Sequence, residues 1–321
     1  MSKKLLSVVV PCYNEEESLG VFYSECEKIL AQLDLDYEFI FINDGSNDRT
    51  LNNLCSLHSK NEKVHYISFS RNFGKEAAIL AGLENSNGDY VIVMDADLQD
   101  PPNLIPEMLD KLIKTKSDCV ACYRTTRKGE PPIRSFFAHC FYILSNMLTS
   151  VKLVDGERDF RIMKRTVVES IIAMQEYNRF SKGIFSWVGF KTEYIDYENQ
   201  ERVGGSSKWS FWKLFKYSIE GILSFSTAPL ALASIIGIIT FMIAIILGIF
   251  IVIRKLAFGD DVQGWTSLVC FITFFGGLQL CTLGIIGSYI ARIYMEVKNR
   301  PKYIIKETDE GINRFDKRRD K

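Results

Sequence analysis

Residues 89–102 read DYVIVMDADLQDPP, and this stretch decides the fold. Four apolar residues, Val91-Ile92-Val93-Met94, run without the alternation of a half-solvated strand, so they predict a strand covered on both faces. The run stops at two carboxylates two residues apart, Asp95 and Asp97, followed by Gln99 and a Pro pair that begins a new segment. Similar short runs rich in Val, Ile, Phe and Tyr occur at residues 5–10, 37–43, 64–70 and 119–123, with helical patterns between them at 15–33, 48–58, 74–84 and 104–116. An alternating series of this kind implies an α/β fold, a doubly wound, mostly parallel sheet joined by right-handed crossovers. In such sheets ligands bind outside the carboxyl ends of the strands. The polar clusters fall there: Pro11-Cys12-Tyr13-Asn14 after the first strand, Asn43-Asp44-Gly45-Ser46 after the second, Arg71-Asn72 after the third and Asp95-Ala96-Asp97 after the fourth.

The remainder of the chain has a different character. Charged residues recur every few positions up to about residue 220, whereas 221–253 and 262–291 carry none. Each run exceeds the roughly 20 residues that cross a bilayer core, so two transmembrane helices are expected, at 228–253 and 266–291. Ahead of them, residues 209–226 place Trp212, Phe215, Ile219 and Ile222 on one helical face and Lys213, Lys216 and Glu220 on another, as an interfacial amphipathic helix would. Residues 133–148 are also helical by spacing, with a packing role as the simpler reading. Basic residues flank the pair of spans on both outer sides, while the loop between them holds Arg254, Lys255 and two aspartates. The basic-residue bias puts both termini and the α/β domain on the cytoplasmic side of the plasma membrane, with 292–321 as a basic tail. Gly276-Gly277 and the pair Gly284 and Gly287 allow close helix packing, and with it a homo-oligomer.

Composition removes several classes. Of 321 residues, 39 are Lys or Arg and 39 Asp or Glu, a formal charge of zero that lacks the basic excess of a nucleic-acid binder. No G-x-G-x-x-G follows the first strand and no P-loop is present, which sets aside a dinucleotide dehydrogenase and an NTPase. The eight cysteines are scattered, and the one C-x-x-C, Cys119 and Cys122, lies in a strand with its thiols on opposite faces. With no second pair and no His spacing to complete a zinc set, they read as buried thiols. The apolar part of the N-terminal MSKKLLSVVVPCYNEEE is too short for a signal peptide.

The acidic cluster at a strand rim points to chemistry on a phosphate ester. Mg²⁺ is typically held by one or two carboxylates plus substrate phosphates, and Asp95 with Asp97 supplies that pattern. Asp44 sits in a tight turn where it would accept hydrogen bonds from a ribose or base, although a turn capped by Ser46 or Asn47 explains the same residues. Asn14 with Glu17 likewise has the spacing of a capping box.

VVVPCYNEEESL (8–19), FINDGSNDRT (41–50), SRNFGKEAAILAGL (70–83) and DYVIVMDADLQDPP together resemble the family 2 glycosyltransferases of GT-A fold. DGERDFRIMKR (155–165), RVGGSSKW (202–209) and the two C-terminal spans extend the resemblance to the polyprenyl-phosphate branch, which includes dolichol-phosphate mannose and glucose synthases and bacterial undecaprenyl-phosphate enzymes. The resemblance covers nearly the whole chain. It implies a GT-A-like catalytic domain over residues 1–208 and inverting transfer of a sugar, glucose or N-acetylglucosamine, from a UDP-sugar donor to a polyprenyl phosphate acceptor for cell-envelope glycan modification. It implies that Pro11, Tyr13, Glu15, Asp44 and Asp95 line the donor nucleotide and that Asp95, Asp97 and Gln99 hold Mg²⁺ or Mn²⁺. Asp97 and Asp159 become the catalytic candidates, and Arg161, Arg202, Ser207 and Lys208 the acceptor-phosphate group. Glu157-Arg158 ahead of Asp159 departs from the smaller residues many relatives carry there. A processive polysaccharide synthase of the same fold is disfavoured, since none of the four tryptophans completes a Q-x-x-R-W motif. A non-enzymatic membrane scaffold would have no use for the acidic rim.

Overall fold

The computed structural model describes residues 3–124, 146–147, 154, 156–197, 226–258 and 264–309. The acceptor-phosphate candidates Arg202, Ser207 and Lys208, the amphipathic segment 209–225, most of the 133–148 segment and the end of the basic tail lie outside the described residues.

The predicted βα series is present with small shifts of boundary. It runs β1 (Leu5–Cys12), α1 (Leu19–Leu30), β2 (Asp36–Asn43), α2 (Thr50–Lys60), β3 (Val64–Phe69), α3 (Lys75–Asn85), β4 (Tyr90–Val93), α4 (Ile105–Lys114) and β5 (Cys119–Arg124). After these come β6 (Glu157–Lys164), α5 (Arg165–Ala173), α6 (Ser181–Trp187), β7 (Thr192–Tyr197), α7 (Ala228–Phe258), α8 (Trp265–Val297) and β8 (Ile305–Thr308). One eight-stranded sheet holds them in the order β7-β5-β6-β4-β1-β2-β3-β8. The β4-β1-β2-β3 centre is parallel, while β6 runs antiparallel between β4 and β5, and β8 closes the far edge antiparallel to β3. The fold is therefore the expected GT-A-like, mostly parallel sheet. The insertion of β6 between β4 and β5 could not be read from element order, because strand pairing is a long-range choice.

Alternation along β1 shows how the sheet buries both faces. Leu6, Val8, Val10 and Cys12 pack with Leu19, Phe22 and Cys26 of α1 and with α4, whereas Val9 packs on the other face with Ile79 and Leu83 of α3. α3 approaches so closely that a Cβ on Gly82 would meet the Val9 side chain at 2.1 Å. Cys119 and Cys122 fall into the clusters on opposite faces, as the three-residue spacing requires, and both are free, as are Cys12, Cys26, Cys55 and Cys281.

Among the described residues, α7 and α8 contain the two stretches long and apolar enough to cross a membrane, Ala228–Leu247 and Phe274–Val297. Their large apolar side chains, among them Ile238, Phe241, Ile246, Phe274 and Leu283, are exposed, a surface that water would not tolerate. Segment 292–309 departs from the expected tail. The helix continues to Val297 and the chain then returns to the sheet as β8. Tyr303 stacks on Phe69 at 4.9 Å and donates to Glu84, while Glu296 accepts from the Tyr177 amide at 2.7 Å. An otherwise open β3 edge is covered by this return, which removes a row of unpaired backbone groups.

Candidate active site

Loops at the carboxyl ends of β1 to β4 are stitched together by their own polar residues. The Asn14 amide donates to Ser46 Oγ at 3.0 Å, Asn14 Oδ1 accepts from the Asn47 amide at 2.9 Å, and the Glu15 amide donates to Thr50 Oγ1 at 2.8 Å. The expected capping box is thus replaced by a loop-to-loop clasp, and α1 begins only at Leu19. Nor do Ser46 and Asn47 cap α2; Asp48 Oδ1 accepts from the Thr50 amide at 3.0 Å instead. In the turn after β2, Gly45 has φ +64°, and a Cβ there would lie 2.4 Å from the Arg71 carbonyl carbon, so only glycine fits.

Asp44 is buried beneath this rim. Its Oδ1 accepts from the Phe73 amide at 2.6 Å and its Oδ2 from the Gly74 amide at 2.9 Å, which ties the β2 turn to the start of α3. Burial pushes its carboxyl up to about 6 against the pull of those two amides and Arg71. Pro11 is the second-last residue of β1, and Tyr13 and Glu15 follow on its loop; Tyr13 is exposed, and Glu15 Oε2 accepts from Ser18 Oγ at 2.5 Å.

β4 and β6 pair antiparallel as far as Val93 opposite Arg161, and beyond that last pair Asp95 and Asp159 both reach one cation. Between them lies the ammonium of Lys75, 2.7 Å from Asp95 Oδ1, 2.9 Å from Asp95 Oδ2 and 2.6 Å from Asp159 Oδ2. The series of opposite charges continues. Arg158 Nη2 is 3.8 Å from Asp95, Arg158 Nε donates to Asp100 Oδ1 at 3.2 Å, and the Tyr197 hydroxyl donates to that same oxygen at 2.5 Å. Burial alone would raise the Asp159 carboxyl, but Lys75 and Lys182 outweigh it and hold it below the usual carboxylate range. For Lys75 burial acts downward, yet Asp159 and Asp95 together raise it, so the lysine stays charged.

The second carboxylate of the pair, Asp97, is mostly buried, and its Oδ1 accepts from the Gln99 amide at 3.1 Å. Leu98 between them has φ +58°, a left-handed conformation uncommon for a bulky residue and typical of functional turns. Gln99 Oε1 accepts from Arg124 Nη2 at 3.0 Å. Among the described residues no three His, Cys, Asp or Glu side chains converge as a complete metal cage.

Arg161, expected at the acceptor phosphate, is placed otherwise. It is 1% exposed, pairs with Glu157 Oε1 at 3.0 Å and lies 3.6 Å over the Phe185 ring. Two residues deeper in β6 than Asp159, it falls under α6 rather than on the rim. The residues that motif reading did not single out are Lys75, Asp100, Tyr197 and Glu76. Lys75 and Asp100 stood within the quoted motifs, where a charge at a helix start and one after the acidic pair were the available signals. Tyr197 had none, since β7 comes about a hundred residues later in the chain.

The glycosyl transferase family 2 profile matches residues 7–172, which take in most of β1, all of β2 to β6 and the rim carboxylates. The chain belongs to that family. Three relatives extend the likeness over the membrane helices. A prophage-derived bactoprenol glucosyl transferase of Shigella flexneri is 44% identical over 306 residues, 95% of this chain and 99% of that protein. The putative glycosyltransferase CsbB of Bacillus subtilis is 43% identical, covering 96% and 93%. A prophage bactoprenol glucosyl transferase homologue of Escherichia coli is 42% identical, covering 94% and 98%. This glycosyltransferase therefore matches whole relatives rather than a shared catalytic domain alone.

Proposed function

We propose that this glycosyltransferase moves glucose from UDP-glucose onto a polyprenyl phosphate at the cytoplasmic face of the plasma membrane, giving a lipid-linked sugar for envelope glycans. The carrying observation is end-to-end similarity to bactoprenol glucosyl transferases, membrane helices included. The site chemistry agrees with that reading. Asp95 and Asp159 sit on one rim, so a donor held by Asp95 and an acceptor beside Asp159 would meet in a single cleft.

Mg²⁺ or Mn²⁺ fits the donor side. Asp95, Asp97 and Gln99 offer only hard oxygen atoms, which suits these ions, and Asp95 already grips a cation, the Lys75 ammonium, through both of its oxygens. With so few protein ligands, the ion would complete its shell on diphosphate oxygens and water; when bound, it would neutralise charge developing on the leaving diphosphate. Pro11, Tyr13, Glu15 and Asp44 would border the nucleotide. The glycosyl acceptor is a phosphate, so Arg202, Ser207 and Lys208 are assigned to it, arginine offering two parallel hydrogen bonds. Asp159 would orient the acceptor rather than take a proton from it. Catalytic domain and both termini are assigned to the cytoplasm, where nucleotide-sugars are made.

The deciding experiment presents membranes containing the protein with undecaprenyl phosphate and radiolabelled UDP-glucose, UDP-N-acetylglucosamine or GDP-mannose. Label should enter the lipid fraction from UDP-glucose. Transfer from UDP-N-acetylglucosamine alone would reassign the donor, and no lipid-linked product from any of them would overturn the reading.

A further inference from the structure

Two carboxylates held close together repel, yet Asp95 and Asp159 share this rim, both in contact with one ammonium. Lys75 is what holds them. An ammonium has three donors and no acceptor, and this one donates to Asp95 Oδ2 at 2.9 Å and to Asp159 Oδ2 at 2.6 Å, with Asp95 Oδ1 in ion-pair contact at 2.7 Å. Its backbone is fixed from below, because Asp44 anchors the amides of Phe73 and Gly74 immediately before α3. Its side chain is 39% exposed and sits on a flexible stem, so the head group can leave while the helix stays in place. Arg158 is no substitute. It stands 3.8 Å from Asp95 and is already engaged by Asp100.

A divalent ion and this ammonium need the same Asp95 oxygens, and two cations cannot share them at contact distance. We propose that Lys75 is an internal counter-cation, a positioning residue that occupies Asp95 and tethers it to Asp159 until a divalent ion displaces it. Metal loading on the donor side and release of the acceptor-side carboxylate are then one event. The rim is assembled for the acceptor only after the donor side is charged. This inference rests on the proposed metal role of Asp95.

The test uses the full chain in detergent micelles, with Mn²⁺ and no nucleotide, and reads the free ion by electron paramagnetic resonance. Lys75→Met should bind Mn²⁺ about tenfold more tightly than the wild type, Lys75→Arg should stay near it, and Asp95→Asn should lose binding. In parallel, reductive methylation read by mass spectrometry should modify Lys75 of the wild type faster once Mn²⁺ is added, with Lys28 and Lys114 unchanged as surface controls. This arm needs no variant and so stands even if Lys75→Met fails to fold. Binding that requires Asp95 but is no tighter in Lys75→Met, or a Lys75 methylation rate indifferent to Mn²⁺, would overturn the displacement while leaving the metal reading intact. No Asp95-dependent binding to the wild type or to Lys75→Met, with UDP added as well as without it, would overturn both.

Discussion

Asp309, one residue beyond β8, has its Oδ2 2.7 Å from His65 Nδ1 on β3, a contact spanning 244 positions of chain. The same carboxylate accepts from the Tyr66 amide at 3.2 Å, and its own amide donates to the Tyr66 carbonyl at 3.3 Å. Since β8 follows α8 directly, this contact fastens the membrane-side chain to the catalytic sheet. The hydrogen bond to Asp309 raises the His65 imidazole above its ordinary value, despite burial acting the other way. A raised histidine stabilises the fold fully below its unfolded pKa of about 6.5, and that contribution disappears as pH rises through the folded value. The amides of Ile305–Thr308 should therefore show greater protection from hydrogen exchange at pH 6 than at pH 8.5, after correction for intrinsic rates. Asp309→Asn should flatten the difference; equal protection in the wild type at both pH values would count against the clasp.

Asp97→Ala should abolish transfer and leave the protein folded. Its Oδ1 accepts from the Gln99 amide, a contact worth on the order of 1 kcal/mol, and the melting temperature read in parallel separates loss of the site from loss of the fold. Chelation by EDTA should silence the wild type in the same assay. Robust turnover by the variant in chelator would remove Asp97 from the site.

Asp159→Asn separates orientation from proton removal. The second pKa of a phosphate monoester is about 6, so the acceptor is mostly a dianion near neutrality and has little proton to lose. Asp159 itself, held below the usual carboxylate range beside Lys75 and Lys182, is a weak base. A general base typically contributes about 10²–10⁴-fold. The variant should lose kcat by a smaller factor and keep the wild-type pH profile from about pH 6.5 to 8.5 at saturating lipid. Recovery of the wild-type rate on raising pH would restore the base assignment.

Glu76→Gln should change the pH dependence of stability. Glu76 Oε2 accepts from both the amide and the hydroxyl of Ser181, pinning α3 to α6, and burial raises its carboxyl to about 7. A carboxyl raised on folding favours the folded state while protonated, so its contribution is fully present below about pH 4.5 and lost as pH climbs through about 7. Glutamine keeps the acceptor oxygen without the charge. Its melting temperature should match the wild type near pH 5 and exceed it at pH 8. A variant less stable at both would show that the carboxylate form is the one the fold wants.

Local patterns in the sequence determined much of this protein. Apolar runs such as residues 91–94 and the helical stretches between them set the βα series, because burial of both sheet faces demands that spacing. The uncharged runs set the two long apolar helices, since length and hydropathy are properties of the segment itself. The motifs placed Asp44, Asp95 and Asp97 at strand ends, and the rim holds them there. Tertiary structure decided what those residues touch. Whether β6 would lie beside β4, and in which register, depends on pairing between segments more than sixty residues apart, and this pairing brings Asp159 to the same rim as Asp95. The same long-range choice buried Arg161 beneath α6, brought Tyr197 to Asp100, and returned a presumed tail to the sheet as β8. Lys75 became the bridge between two carboxylates for the same reason. A sequence shows which residues carry charge; which charges meet is settled only when distant strands pair.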